Sequence, residues 1–406
     1  MQKNMKLSGF ITCICLLPVL LYGQTEAVRK PAPVKVSSAI VCGDARFDVY
    51  LPLLQNKNVA FMLNQTAVVN GSLLVDTLLG LGIKVKKIFA PEHGFRGKAD
   101  AGEDVKDGVD AKTGIPVISV YGNKKMPTAA DLDSIDIVVF DIQDVGTRFY
   151  TFISSLHYLM EACAINNKPL IVLDRPNPNG WYADGPVLQK EFKSFVGVDP
   201  IPVVHGLTIG EYAQMVNGEK WLPGSAQCNL TVIGCLNYTH SMRWNLPVRP
   251  SPNLPDSLAV ALYPSLCFFE GTNISVGRGT GAPFQVIGSP ATKFKGAYQF
   301  TPQSMPGATQ PPFLNKVCYG YDLRQPANRL KPPFSFQYVI NMYKLYADKK
   351  DFFLKTGFFD KLAGTDEVRK MIEAGKTDAE IKAWYAKDLQ AYKAMRKKYL
   401  LYPDFE

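Results

Sequence analysis

Between about residues 38 and 240, short apolar runs of strand length alternate with helical stretches. Val59–Leu63, Val85–Ala90, Val117–Val120, Ile135–Phe140, Leu170–Leu173 and Leu230–Ile233 read as strands. Leu73–Leu81, closed by Gly82, with Phe152–Ala164 and Ile209–Val216, read as helices between them. Near-continuous apolar strands separated by helices predict a parallel sheet covered on both faces. In such sheets the ligand crevice lies beyond the carboxyl ends of the strands. Those ends hold Asn64, Gln65, Glu92, His93, Tyr121, Asp141, Asp144, Asp174, Arg175 and His205. Polar residues gathered at that one edge point to an enzyme.

After Tyr238 the texture changes. Arg243–Pro255 is proline-rich, which excludes regular helix. Leu258–Phe269 reads helical, with Pro264 as a kink or a break, and Asn273–Pro290 is glycine-rich. Helices dominate from Phe334 to Leu400. There Thr377 and Glu380 form a capping box ahead of the stripe Ile381, Tyr385, Leu389 and Tyr392. The expected architecture is α/β: a mostly parallel sheet domain over residues 28–240 and a smaller α+β domain over 241–406.

The first 27 residues read as an export signal. Lys3 and Lys6 precede an apolar stretch, Phe10–Tyr22, too short to span a bilayer. The mature chain is expected to be exported, to the periplasm or beyond, without stable membrane insertion. Of eight cysteines, Cys13 and Cys15 leave with the signal. The remaining six contain no CxxC pair, and with four histidines in the chain no metal site is expected. A hydrophobic content of 47% and a charged content of 20% exclude disorder. The net charge of +9 comes without a dense Lys/Arg block. It suits an anionic substrate or an envelope surface better than nucleic acid.

The segment Ala90-Pro-Glu-His-Gly-Phe-Arg-Gly97 places Glu92 in a turn after a strand, beside His93 and Arg96. A carboxyl near Phe89 and Phe95 is suited to general-acid work, although a loop-fixing pair with Arg96 is the plainer reading. In Phe140-Asp-Ile-Gln-Asp-Val-Gly-Thr-Arg148, Asp141 and Asp144 can orient substrate or activate water, or Asp144 caps a helix, and Arg148 meets an anion or balances these acids. Asp174-Arg-Pro-Asn-Pro-Asn-Gly-Trp181 offers the Arg175 fork to a carboxylate and the Trp181 face to a sugar ring, or is a structural turn. His205 is a proton carrier or a structural histidine. Gly277, Gly279 and Gly281 lack the strand-then-helix context of a dinucleotide site. A substrate loop containing Glu270, Asn273 and Arg278 fits that stretch better. Ser-His-Asp chemistry lacks a nucleophile elbow.

These motifs together resemble the exo-β-N-acetylmuramidases, a glycoside hydrolase family long classed as a domain of unknown function. The likeness rests on the Glu92 and Asp141–Tyr150 segments, Asp174-Arg-Pro-Asn-Pro178, Arg249-Pro-Ser-Pro-Asn-Leu254, and Glu270-Gly-Thr-Asn273 with Gly277-Arg-Gly-Thr-Gly281. It extends to the ending, Phe359–Thr365 and Tyr399–Tyr402, and covers nearly the whole mature chain. The resemblance implies a Rossmann-like domain plus a smaller domain with the site in the cleft between them. It implies release of non-reducing terminal N-acetylmuramic acid (MurNAc) from peptidoglycan fragments, with Glu92 as the acid.

Glycoside cleavage needs a proton donor and support for a positive anomeric carbon. The 2-acetamido group of MurNAc can supply that support itself when a carboxylate, Asp141 or Asp144, steadies it. Arg175, Arg148 or Arg278 can meet the lactyl carboxylate. No cofactor is expected. The rival readings are a non-catalytic muropeptide- or sugar-binding envelope protein and a wall-directed esterase or amidase.

Overall fold

A computed structural model describes residues 39–92, 94–96, 106–292, 298–329 and 334–406. The alternation in the first half yields strands β1 (Asn58–Leu63), β4 (Lys84–Ala90), β6 (Pro116–Ser119), β7 (Ile137–Asp141), β8 (Leu170–Leu173) and β9 (Leu230–Ile233), all parallel. A small hairpin, β2 (Val68–Val69) with β3 (Ser72–Leu73), follows β1, and antiparallel β5 (Gly108–Val109) closes one edge. The sheet order is β5-β6-β4-β1-β7-β8-β9. Numbering only the parallel strands in chain order, this reads 3-2-1-4-5-6, the doubly wound Rossmann order with its switch point between β1 and β7.

Alternate side chains bury on opposite faces, as the period of two requires. Val59, Phe61, Val139 and Ile171 pack into one core; Ala60, Met62, Val138 and Val172 pack into the other. That second core is continuous with the C-terminal half, through Leu266, Phe268, Phe334, Ile372 and Tyr392.

The second half carries an antiparallel sheet of β10 (Val286–Ser289), β11 (Tyr298–Phe300) and β12 (Cys318–Asp322) in the order β10-β12-β11. It supplies the β part of the expected α+β region, though its strands were not legible. β10 lies inside the glycine-rich stretch, where Gly288 pairs with Gly320. A Cβ on Gly320 would lie 1.9 Å from the Ile287 carbonyl oxygen, so these glycines permit a close backbone approach.

The helix Ser257–Leu266 runs through Pro264 unbroken. Pro264 cannot donate to the Val260 carbonyl, and Asn179 Nδ2 takes that role at 3.1 Å. The capping box at Thr377 starts the helix Asp378–Arg396. Its end is clasped back on the sheet: Arg396 donates to Gly206 O and pairs with Asp404, and Tyr402 OH reaches Asp174 Oδ2 at 2.5 Å.

Candidate functional site

Strand β4 delivers Ala90 and Pro91 to the carboxyl edge, and the following turn presents Glu92 half-buried. Tyr121 OH donates to Glu92 Oε1 at 3.0 Å, and Thr151 Oγ1 bonds Glu92 Oε2 at 2.5 Å. Each of these two partners is a hydroxyl, which donates to a carboxylate and accepts from a carboxylic acid. Both protonation states of Glu92 therefore keep a partner. His93 lies outside the described residues. Arg96 does not fix Glu92 as the plainer reading expected; it forms a forked pair with Asp110 at 2.7 to 2.9 Å. That pair ties the loop down through Nε and Nη2.

At the switch point, Leu63 and Asp141 are register partners, and Asn64 and Gln65 follow directly at the β1 end. Asn64 Oδ1 accepts from Thr66 N–H and Oγ1–H, leaving its buried Nδ2 without a protein partner. Gln65 Nε2 donates to the carbonyls of Arg249 and Pro250, and its buried Oε1 is likewise unpartnered. Asp144 Oδ2 accepts from Gly146 N–H at 2.7 Å and lies 3.5 Å from His205 Nε2. Asp144 Oδ1 and His205 Nε2 are both buried without hydrogen-bond partners. His205 Nδ1 accepts from Leu207 N–H, which puts the imidazole proton on Nε2, facing Asp144. Orphaned polar atoms from separate strand ends are uncommon in a native interior and mark where a polar ligand is received.

Asp141 and Arg175 are corrected from substrate contacts to a buried strut. Arg175 donates to both Asp141 oxygens, at 2.6 and 2.9 Å, and to Asp44 Oδ2 at 2.7 Å. All three side chains are at most 3% exposed. Two carboxylates share one guanidinium, so one negative charge remains in excess. Burial, then the Asp141 charge, push the Asp44 carboxyl up to about 6, against the pull of Arg175. Arg148 is corrected as well. It is fully buried and donates to the carbonyls of Pro186, Ile201 and Leu362, tying the sheet to the C-terminal half. Burial lowers its pKa to about 9.

Arg278 remains. Its Nε and one terminal nitrogen hold Glu270 Oε1 at 2.7 and 2.6 Å, while Nη1 is buried and unpartnered. Burial would lower its pKa, but the Glu270 carboxylate raises it. Glu270, Asn273 and Arg278 line a pocket of about 800 Å³ walled by Phe269, Phe313 and Phe358. Asn273 is anchored there through Nδ2 to Asp351 O. Trp181 is not an open platform, because the Arg243 guanidinium stacks 3.3 Å from its ring centre.

Tyr150 links the two halves of the site. Its hydroxyl donates to Pro250 O at 2.8 Å, and its ring packs against Tyr263. Burial raises its pKa well above the usual value; the charges of Asp144 and Glu92 add to this and that of Arg278 opposes it. Tyr150 and Thr151 escaped the reading of the sequence because a phenol and a hydroxyl beside a helix start carry no chemical signature. Tyr121 stood among the strand-end residues without a role. Among the described residues, no group of three or more His, Cys, Asp or Glu is placed to hold a metal ion, and no helix is long and apolar enough to cross a membrane.

The models for the N-terminal and C-terminal parts of the exo-β-N-acetylmuramidase NamZ match residues 59–258 and 261–402. The peptidoglycan β-N-acetylmuramidase NamZ of Bacillus subtilis (strain 168) is 41% identical over 401 residues, covering 93% of this chain and 94% of that protein. Two crystal structures of DUF1343 family proteins from Bacteroides fragilis are similar throughout. One has a TM-score of 0.82 at 47% identity, covering 90% of this chain and 100% of its own. The other has a TM-score of 0.74 at 28% identity, covering 89% and 99%.

Proposed function

The chain belongs to the exo-β-N-acetylmuramidase NamZ family of glycosidases, and from that premise we propose that it releases terminal MurNAc from peptidoglycan fragments, with Glu92 as general acid. The observation that carries the assignment is the pair of hydroxyls, Tyr121 and Thr151, on the two Glu92 oxygens at the carboxyl edge of the sheet. They hold both oxygens of the carboxyl in place at the edge where the crevice lies. Glu92 gives its proton to the leaving glycosidic oxygen as the bond to the anomeric carbon breaks.

Asp144 supports the 2-acetamido group. Its Oδ2 is anchored by Gly146, and its unpartnered Oδ1 is available to accept the acetamide N–H as the carbonyl oxygen attacks C1. This substrate-assisted route departs from the two-carboxylate scheme. In the same reading residues 1–27 are an export signal, the mature chain works outside the cytoplasm on wall turnover products, and N-terminal sequencing of exported protein locates the cut.

The test is turnover of a chromogenic β-MurNAc glycoside. Glu92→Gln should fold normally and lose about 10²–10⁴-fold in kcat. More than about a third of normal kcat would remove Glu92 from the role, and a better leaving group should partly rescue the variant. In the same assay Asp144→Asn should lower kcat more than it raises KM; a change confined to thermal stability makes Asp144 a cap.

A further inference from the structure

Val41 and Leu236 form an isolated antiparallel bridge and exchange both hydrogen bonds, at 3.1 and 2.8 Å. The next pair along is Cys42 opposite Cys235. After a hydrogen-bonded pair comes a non-hydrogen-bonded one, whose Cα atoms sit about 4.5 Å apart with side chains on the same face. Cys42 is extended, as that pairing requires. The Cys235 N–H turns away from Cys42 and donates to Tyr402 OH at 2.8 Å. The Cys235 thiol donates to Asp174 O at 3.3 Å, the same carbonyl that accepts from Gly43 N–H beside Cys42. Disulfides span Cα separations of about 4.4–6.8 Å, so this pairing accommodates one without backbone movement.

We propose that Cys42 and Cys235 form a disulfide site, closed by exchange with a small-molecule or protein disulfide. Cys42 is partly exposed and Cys235 lies buried behind it. The Cys42 thiolate attacks one sulfur of the oxidant's disulfide and releases the other as a thiol. The Cys235 thiolate then attacks the Cys42 sulfur of the mixed disulfide and releases the second thiol. Two protein thiols and one disulfide become one protein disulfide and two small thiols, with two electrons passing to the oxidant.

The position gives the bond a purpose. Two residues beyond Cys42, Asp44 reaches Arg175, which in turn holds Asp141 at the switch point. The segment is pressed against the β8 and β9 ends. Gly43 N–H donates to Asp174 O at 2.8 Å, and a Cβ on Gly43 would lie 2.2 Å from Ile233 O. The cross-link pins the arm that brings Asp44 into the strut. It acts on the scaffold and stands whether or not MurNAc is the substrate.

The test equilibrates the full chain with oxidised glutathione, alkylates it under denaturing conditions and maps the peptides. Linked Cys42 and Cys235 peptides are expected, with a drop in Tm of about 3–8 °C on adding dithiothreitol. Cys42→Ser should lose that response, and Cys163→Ser should keep it. Cys42 and Cys235 both recovered as alkylated thiols would overturn the proposal. So would a cross-link confined to Cys163 and Cys228, whose thiols also adjoin one another.

Discussion

The proposed function makes Arg278 the residue on which substrate choice should turn. N-Acetylglucosamine lacks the lactyl carboxylate of MurNAc, so an enzyme that prefers MurNAc needs a group that rewards it. Arg148 and Arg175 are committed inside the scaffold. Arg278 is oriented by Glu270 and keeps Nη1 unpartnered at the pocket. Because Glu270 balances its charge, its contribution is a directed hydrogen bond more than a net field. A charge-assisted bond of this kind contributes about 1.5–3 kcal/mol, or about 10–150-fold in kcat/KM. Arg278→Met should lose that factor on MurNAc glycosides and leave N-acetylglucosamine glycosides nearly unchanged. Equal losses on both would assign the lactyl group to backbone donors or shape. The strand-end position of Glu92 was legible because Pro91 and Gly94 frame it. Which arginine keeps an unpartnered nitrogen was not legible, since three arginines in polar loops look alike until their partners are known.

At the scale of the element, the strands and helices of the first half were readable because burial on both faces leaves continuous apolar runs. Leu170–Leu173 and Leu230–Ile233 coincide with β8 and β9. The small antiparallel sheet was hidden because the glycines that permit its close pairing are the residues that argue against a strand. Pro264 was ambiguous for a related reason: whether a proline breaks a helix depends on whether another group takes the freed carbonyl. Asn179 donates to both Val260 O and Val145 O from a buried position. Asn179→Ala should leave both carbonyls unsatisfied and cost about 2–3 kcal/mol in urea denaturation. Stability within about 0.5 kcal/mol of wild type would mean that water fills the place of the amide.

For the whole molecule, the Asp44–Arg175–Asp141 strut joins the N-terminal arm, the β7 end and the β8 loop. Its pH dependence follows from the raised Asp44 pKa. The folded state binds that proton more tightly than the unfolded chain does. The stabilisation is full below about 3.8 and is lost as pH rises through about 6. Between pH 5 and pH 7 this amounts to about 1 kcal/mol. The stability advantage of wild type over Asp44→Asn should therefore be larger at pH 5 than at pH 7, as read by denaturant titration at each pH. A constant difference would show that Asp44 stays ionised throughout.

By itself the sequence determined the order of strands and helices in the first half, the parallel sheet and the edge at which polar residues gather. These follow from local burial patterns and turn residues, which each segment carries alone. It also held motifs long enough to point to the muramidase family. Only the tertiary structure decided which polar residues face one another. Asp141 and Arg175 became a buried strut because Asp44, far away in sequence, folds onto them. Arg148 became a tie because carbonyls from three distant segments converge on it. Tyr150 came to join the β7 loop to the Pro250 segment because its hydroxyl reaches Pro250 O. Partner choice among charged groups depends on distance and desolvation, and both are set by long-range packing that no local pattern records.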